Sequence, residues 1–282
     1  MLPLRVILKY AEQTLASGPY PQRARRDAEF LLCHAIGRDR AWLLTHTNCG
    51  IEAEQGEHYD ALLAQRVTGE PIQYIIGETE FYGLPFRVTS DVLIPRPETE
   101  HLVEKVLELA ANFPAPRIID VGTGSGCIAI ALAHTLPQAS ITAIDLSESA
   151  LAIARENTRR NGVDLRFLEG DLLAPATEEK FEFVVSNPPY VPTTARATLA
   201  VEVREYEPAL ALFAGDDGLE VYRRLIPAAI DALIPGGYVA LEIGCGQSAM
   251  ITELLAHSGF VQIEFVPDLQ GIPRVACARR PS

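Results

Sequence analysis

An amide, two prolines and a phenol follow one another at Asn187-Pro188-Pro189-Tyr190, directly after the apolar run Phe181–Val185. Each proline holds φ at about −65° and removes a backbone N–H. The stretch therefore offers carbonyl acceptors and few donors. The Asn187 side-chain oxygen adds an acceptor with about two lone pairs. A flat –NH₂ group can be held by the Asn187 side chain and the Pro188 carbonyl, with the Tyr190 ring against its face. These residues suit a planar primary amine or amide without saying which. The competing reading is an ordinary strand-to-loop turn, which Asn-Pro also favours.

A second constellation is Asp120-Val121-Gly122-Thr123-Gly124-Ser125-Gly126, between a short apolar strand and an apolar helix. Its glycines let backbone approach a ligand, and the helix N-terminus can meet a carboxylate or phosphate. The Gly-x-Gly-x-Gly spacing departs from the Gly-x-Gly-x-x-Gly of dinucleotide folds. Asp120, before the first glycine, suits a ligand with a cationic amine; S-adenosylmethionine has one and lacks a pyrophosphate. Asp145, at the end of the next strand, can accept both hydroxyls of a ribose.

The elements that must position these groups are legible as periodicities. From Leu4 to about Gln65 apolar residues recur at three- and four-residue steps, which predicts four or five short helices. An arginine cluster, Arg23, Arg25, Arg26, Arg38 and Arg40, reads as a solvated helix face rather than a partner-docking patch. Gly69-Glu70-Pro71 breaks the pattern. Gln73–Gly77 and Glu80–Val88 read as a β-hairpin. The expected organisation is a helical bundle over 1–68, a hairpin linker over 69–92 and a larger domain over 93–282. In the last, strands at Arg117–Asp120, Ser140–Ile144, Leu165–Glu169, Phe181–Ser186 and Tyr238–Ile243 alternate with helices. Pro235-Gly236-Gly237 reads as a turn, and Val261–Val266 with Pro273–Ala278 as a final antiparallel pair. Repeated β-α-β units predict a doubly wound α/β sheet. Ligands of such sheets sit beyond the carboxyl ends of the strands, where Gly122–Gly126, Asp145, Asp171 and Asn187 would converge.

Composition narrows the chemistry. Five cysteines without paired spacing, at 33, 49, 127, 245 and 277, read as reduced thiols in a cytoplasm. Neither they nor the six histidines have zinc-type spacing, so no metal is expected. No apolar run reaches the ~18 residues of a transmembrane helix. The net charge is −13, and residues 1–76, with 8 basic and 9 acidic side chains, carry only −1 of it. The half with the site motifs is thus the acidic one, which argues against a nucleic-acid partner. Without a heptad or large exposed apolar segment, a monomer is the default.

Taken together, Gly69-Glu-Pro-Ile-Gln-Tyr74, Leu93-Ile-Pro-Arg-Pro-Glu-Thr-Glu100, Asp120–Gly126, Asp145 and Asn187-Pro-Pro-Tyr190 resemble the HemK/PrmC family. Glu207-Pro-Ala-Leu210, Ala214-Gly215 and Asp268-Leu-Gln-Gly-Ile-Pro-Arg274 extend the resemblance. These are the peptide chain release factor N5-glutamine methyltransferases. The resemblance implies a seven-stranded class I methyltransferase sheet and S-adenosyl-L-methionine as cofactor. It implies cofactor contacts at Gly122, Thr123, Gly124, Ser125, Gly126, Asp145, Leu172 and Asn187. Relatives often carry an aromatic where Leu172 stands. The substrate glutamine would meet Asn187, Pro188, Pro189 and Tyr190, with Asn187, Pro188 and Tyr190 serving catalysis. Arg96, Pro97, Glu98 and Glu100 would close over the pocket, or else serve only to cap and pack a helix. Class 1 release factors would be the protein partner, docked by the helical bundle, and translation termination the process.

Chemically, two acceptors on both N–H groups would aim an amide nitrogen at a methyl sulfonium. Direct in-line transfer then needs proximity and orientation rather than a metal or a covalent intermediate. No general base stands out, and the proton can leave to water. Rival readings are a ribosomal-protein glutamine methyltransferase, a nucleic-acid adenine-N6 or guanine-N2 methyltransferase, and a cofactor-binding scaffold without turnover.

Overall fold

The computed structural model describes residues 2–282. They form two compact units. One runs through Gly77 and includes Leu199–Tyr206; the other comprises Glu78–Thr198 and Glu207–Ser282.

The first unit is helical, with α1 (Leu4–Ala16), α2 (Ala24–Ile36), α3 (Arg40–Thr45), α4 (Ala53–Val67) and α5 (Ile72–Ile76). Three- and four-residue spacing places Leu4, Leu8, Ala11 and Leu15 on one face of α1, where they pack with Leu31, Leu32, Leu62 and Leu63. Each leucine so buried contributes about 1.5–3 kcal/mol. Tyr59 lies among them, and its hydroxyl donates to the Ala28 carbonyl at 2.9 Å. The arginine cluster is largely answered within the unit: Arg25 and Arg40 donate to Glu29, and Arg23 donates to Glu202.

Two findings here depart from the sequence reading. Gln73–Gly77 is not a strand. Residues 73–76 lie in α5, which follows Pro71, is capped by Gly77 with φ 76° and packs Ile75 and Ile76 against the leucine core. Burial against helices overrides the local β-propensity of this short apolar run. The second is the short helix Val201–Tyr206, which lies far along the chain yet belongs to this unit. Arg66 explains the attachment. It is buried, pairs with Asp27 at 2.8 Å, lies 4.8 Å from the Tyr20 ring centre and reaches Glu202 at 3.5 Å.

The second unit begins with a hairpin, β1 (Glu78–Phe81) and β2 (Leu84–Arg87). A 3-10 turn, Pro97–Thr99, leads into α6 (Glu100–Ala110). Then follow β3 (Arg117–Val121), α7 (Cys127–Thr135), β4 (Ser140–Asp145), α8 (Glu148–Asn161), β5 (Arg166–Glu169) and β6 (Phe181–Ser186). The helix of the first unit is α9. After it come α10 (Ala209–Leu212), α11 (Glu220–Ala232), β7 (Leu233–Glu242), α12 (Ser248–His257), β8 (Val261–Pro267) and β9 (Pro273–Arg279). The strands form a seven-stranded sheet in the order β5-β4-β3-β6-β7-β9-β8. The first five run parallel, and β9 is antiparallel to both neighbours.

Strand alternation fills two cores. Ile119, Val184 and Leu241 face α11 and α12, whereas Ile118, Phe183 and Val185 face α6 and α7. Pro235-Gly236-Gly237, expected as a turn, lies inside β7, where the register with β6 shifts between Phe181 and Phe183. A bulge lets these turn-forming residues sit within a strand.

Candidate active site

Chain order reverses between β3 and β6, so their carboxyl ends flank the switch point at which open α/β sheets bind ligands. A cavity of about 440 Å³ opens there. It is lined by Gly122–Ser125, Asp145–Ser147, Gly170–Leu172, Asn187 and Pro189, and by Pro95, Arg96 and Thr99.

The loop after β3 is held by its neighbours. Gly124, at φ 55°, donates its N–H to Asp145 Oδ2 at 2.8 Å. Gly126, at φ 82°, caps α7 so close to α8 that an added Cβ would lie 3.2 Å from that of Ala154. Asp145 Oδ1 accepts from the Ser147 N–H at 2.9 Å. Each carboxylate oxygen thus keeps a lone pair for a ligand hydroxyl. Burial raises the Asp145 carboxyl above its ordinary pKa, opposed by the N–H groups of Ser147 and Gly124. Asp120 does not line the cavity. It is fully buried beneath the loop, where Oδ2 accepts from Thr123 Oγ1 at 2.6 Å; Oδ1 has no partner among the described residues. Burial pushes its carboxyl up to about 7. Asn157, buried on α8, bonds the Ser125 carbonyl and both backbone groups of Arg87, tying the loop to the hairpin.

At the other end of the cavity, Asn187 Nδ2 donates to Thr99 Oγ1 at 3.1 Å. Thr99 in turn donates to Glu242 Oε2 at 2.6 Å. Tyr190 donates to the other oxygen of that carboxylate at 3.2 Å. Register explains the meeting: Ser186 pairs with Leu241, so Asn187 and Glu242 leave adjacent strands side by side. Burial raises the Glu242 carboxyl above its usual range, offset by the hydrogen bonds from Thr99 and Tyr190. Burial likewise raises the Tyr190 phenol, so it stays protonated and donates.

The sequence-selected residues are therefore distributed unevenly. Gly122, Thr123, Gly124, Ser125, Asp145, Leu172, Asn187 and Pro189 line the cavity, while Gly126, Pro188 and Tyr190 are outside its lining. Leu172 holds a positive φ of 51°, and Leu146 joins it in the lining. Of Arg96, Pro97, Glu98 and Glu100, only Arg96 reaches the cavity. It donates to Glu207 at 2.6 and 2.7 Å. Glu100 instead accepts from the Tyr82 N–H at the hairpin turn. Sequence reasoning missed Thr99 and Glu242. Thr99 sits inside the segment singled out, but nothing local marks Glu242, a carboxylate ending an otherwise apolar strand. Among the described residues no group of side chains is arranged to hold a metal, and no helix is long and apolar enough to cross a membrane.

Two family descriptions match the chain: "PrmC N-terminal domain" over residues 7–77 and "Methyltransferase small domain" over residues 98–204. A protein of Moorella thermoacetica named release factor glutamine methyltransferase is 42% identical over 282 residues, covering 99% of each chain. One of the same name from Geobacter sulfurreducens is 42% identical over 258 residues, 92% of this chain and 90% of that one. The solved methyltransferase from Pyrococcus furiosus is similar in fold, with a TM-score of 0.53 at 20% identity over 72% of this chain and 91% of its own. With near-full-length identity to several such relatives, the chain belongs to the release factor glutamine methyltransferase family.

Proposed function

We propose that this protein transfers a methyl group from S-adenosyl-L-methionine to the side-chain amide nitrogen (N5) of the glutamine in the Gly-Gly-Gln motif of class 1 peptide chain release factors. Family membership supports the reaction and the substrate class. The observation that carries the chemistry is the Asn187–Thr99 hydrogen bond. It occupies the Asn187 amino group and leaves its oxygen to accept, as an incoming –NH₂ group requires.

The residues present fit the cofactor. Asp145 has lone pairs for the ribose hydroxyls, the Gly122–Gly126 loop gives close backbone approach, and Leu146 and Leu172 offer apolar contact for a base. S-adenosyl-L-methionine supplies an electrophilic methyl group when bound there. Asn187 and the Pro188 carbonyl then orient the glutamine nitrogen by its two N–H groups, with Pro189 shaping the wall and Tyr190 braced on Glu242. An amide nitrogen is a weak nucleophile, so positioning and oriented dipoles carry the rate. The helical unit has no part in this step, and we assign it to docking the intact release factor.

Labelled S-adenosyl-L-methionine, offered with purified release factor, ribosomal proteins and DNA in parallel, tests the reading. Label should enter the release factor. Label in DNA or a ribosomal protein alone would overturn it.

A further inference from the structure

We propose that the buried Glu242 carboxylate fixes, through Thr99, which way round the Asn187 amide stands, and so makes the site an acceptor of –NH₂ groups. The inference rests on the reading of Asn187 as the amide-binding residue. An asparagine side chain has a donor end and an acceptor end of nearly the same shape. Packing alone does not distinguish them. Turned one way it accepts from an amine; turned the other it presents –NH₂ to –NH₂ and repels the substrate.

The hydrogen bonds settle the direction one proton at a time. Both hydroxyls donate to Glu242, which acts here only as an acceptor. Glu242 Oε1 receives the Tyr190 hydroxyl proton at 3.2 Å and Oε2 receives the Thr99 hydroxyl proton at 2.6 Å. A hydroxyl has one proton, so Thr99 Oγ1 has only lone pairs left for its other neighbour. That neighbour, at 3.1 Å, must be the Asn187 nitrogen. Asn187 Oδ1 is thereby turned away from Thr99. Both relay residues are buried: Thr99 and Glu242 are 1% and 2% exposed. The Glu242 backbone carbonyl is held separately by the Tyr222 hydroxyl at 2.7 Å. Thr99 and Glu242 are thus positioning residues, acting on substrate through Asn187 and Tyr190.

The test compares full-length Thr99→Val, Thr99→Ser, Glu242→Gln and Asn187→Ala proteins. Valine keeps the shape of threonine but cannot accept. Thr99→Val should lower kcat for release factor methylation by about 10- to 100-fold while affinity for S-adenosyl-L-methionine stays within about twofold. Serine should restore most of the loss. Glu242→Gln, which lets the hydroxyl of Thr99 point either way, should fall between them. In the Asn187→Ala background Thr99→Val should cost nothing further, since there is no amide to orient. An equal cost in both backgrounds would show a packing role and overturn the inference, as would wild-type kcat in Thr99→Val. Hydrogen exchange of the Asn187 side-chain amide, followed by NMR without substrate, separates this from an error in substrate assignment. Exchange should quicken in Thr99→Val and not in Thr99→Ser, whatever protein is methylated; unchanged exchange in Thr99→Val overturns the inference by itself.

Discussion

The Gly124 N–H points at Asp145 Oδ2 across 2.8 Å, so the loop after β3 is braced by the acid that ends β4. One carboxylate both shapes the loop and faces the cavity. Asp145→Ala should therefore weaken S-adenosyl-L-methionine binding by more than one ligand hydrogen bond is worth, about 100-fold or more. Asp145→Asn, which keeps one acceptor, should lose less. Calorimetric titration checks this, and unchanged affinity in the alanine variant would rule out the ribose role.

Asn187 answers for the other half of the site. Its replacement by alanine should cut kcat by about 10²–10³, the scale of removing one oriented polar group from a transition state. Affinity for S-adenosyl-L-methionine should stay measurable. Rapid-quench turnover with a separate binding titration distinguishes the two effects.

Asp120 gives the ligand-free protein a distinctive pH response. Its carboxyl rises from an ordinary 3.8 to about 7 because folding buries it. The folded state then holds a proton that the unfolded chain has released. The contribution is most favourable below about pH 4 and is lost as pH rises through 7, at up to about 1.4 kcal/mol per pH unit. Denaturant unfolding of wild type and Asp120→Asn between pH 4 and 8 should show this slope in the difference between them. Parallel pH profiles would contradict it.

In the helical unit, Arg66 is the sole cation bonded to the buried oxygen Asp27 Oδ2 among the described residues. Arg66→Ala leaves that carboxylate buried without its partner. A loss of about 3–5 kcal/mol in unfolding free energy is expected. Loss of Glu202 should cost much less, because its contact with Arg66 is longer and it is partly exposed. Chemical denaturation of both variants provides the comparison.

Docking by the helical unit has its own signature. Tyr10 and Phe30 are 63% and 52% exposed, large apolar side chains outside the leucine core. If that unit meets the release factor there, Tyr10→Ser with Phe30→Ser should raise KM for the intact factor by about tenfold, roughly the worth of one interface anchor. KM for a short Gly-Gly-Gln peptide should not change. Equal effects on both substrates would remove the docking assignment.

What the sequence made legible was local. The Gly122–Gly126 loop, Asp145 and Asn187 each stand at or just beyond the end of an apolar strand, and the parallel run of β3, β4 and β6 carries them to one edge of the sheet. The hidden parts depend on distance along the chain. Thr99 and Glu242 stand 143 residues apart and become partners only because α6 packs on β7, setting the turn before α6 against the end of that strand. α5 is ambiguous in sequence because five apolar and polar residues fit either period, and packing on the leucine core decides between them. Residues 193–212 show no marked periodicity, yet they form the 3-10 turn Thr193–Thr198, α9 and α10. α9 belongs to the helical unit because Arg66 and Arg23 reach Glu202, a pairing that no spacing rule signals.

The central claim concerns one nitrogen atom. Tandem mass spectrometry of a class 1 release factor, incubated with this protein and isotopically labelled S-adenosyl-L-methionine, locates the transferred methyl. The account predicts a single labelled methyl on the side-chain amide of the Gly-Gly-Gln glutamine. A methyl on any other residue, or an unmodified glutamine beside labelled DNA or ribosomal protein, would contradict it.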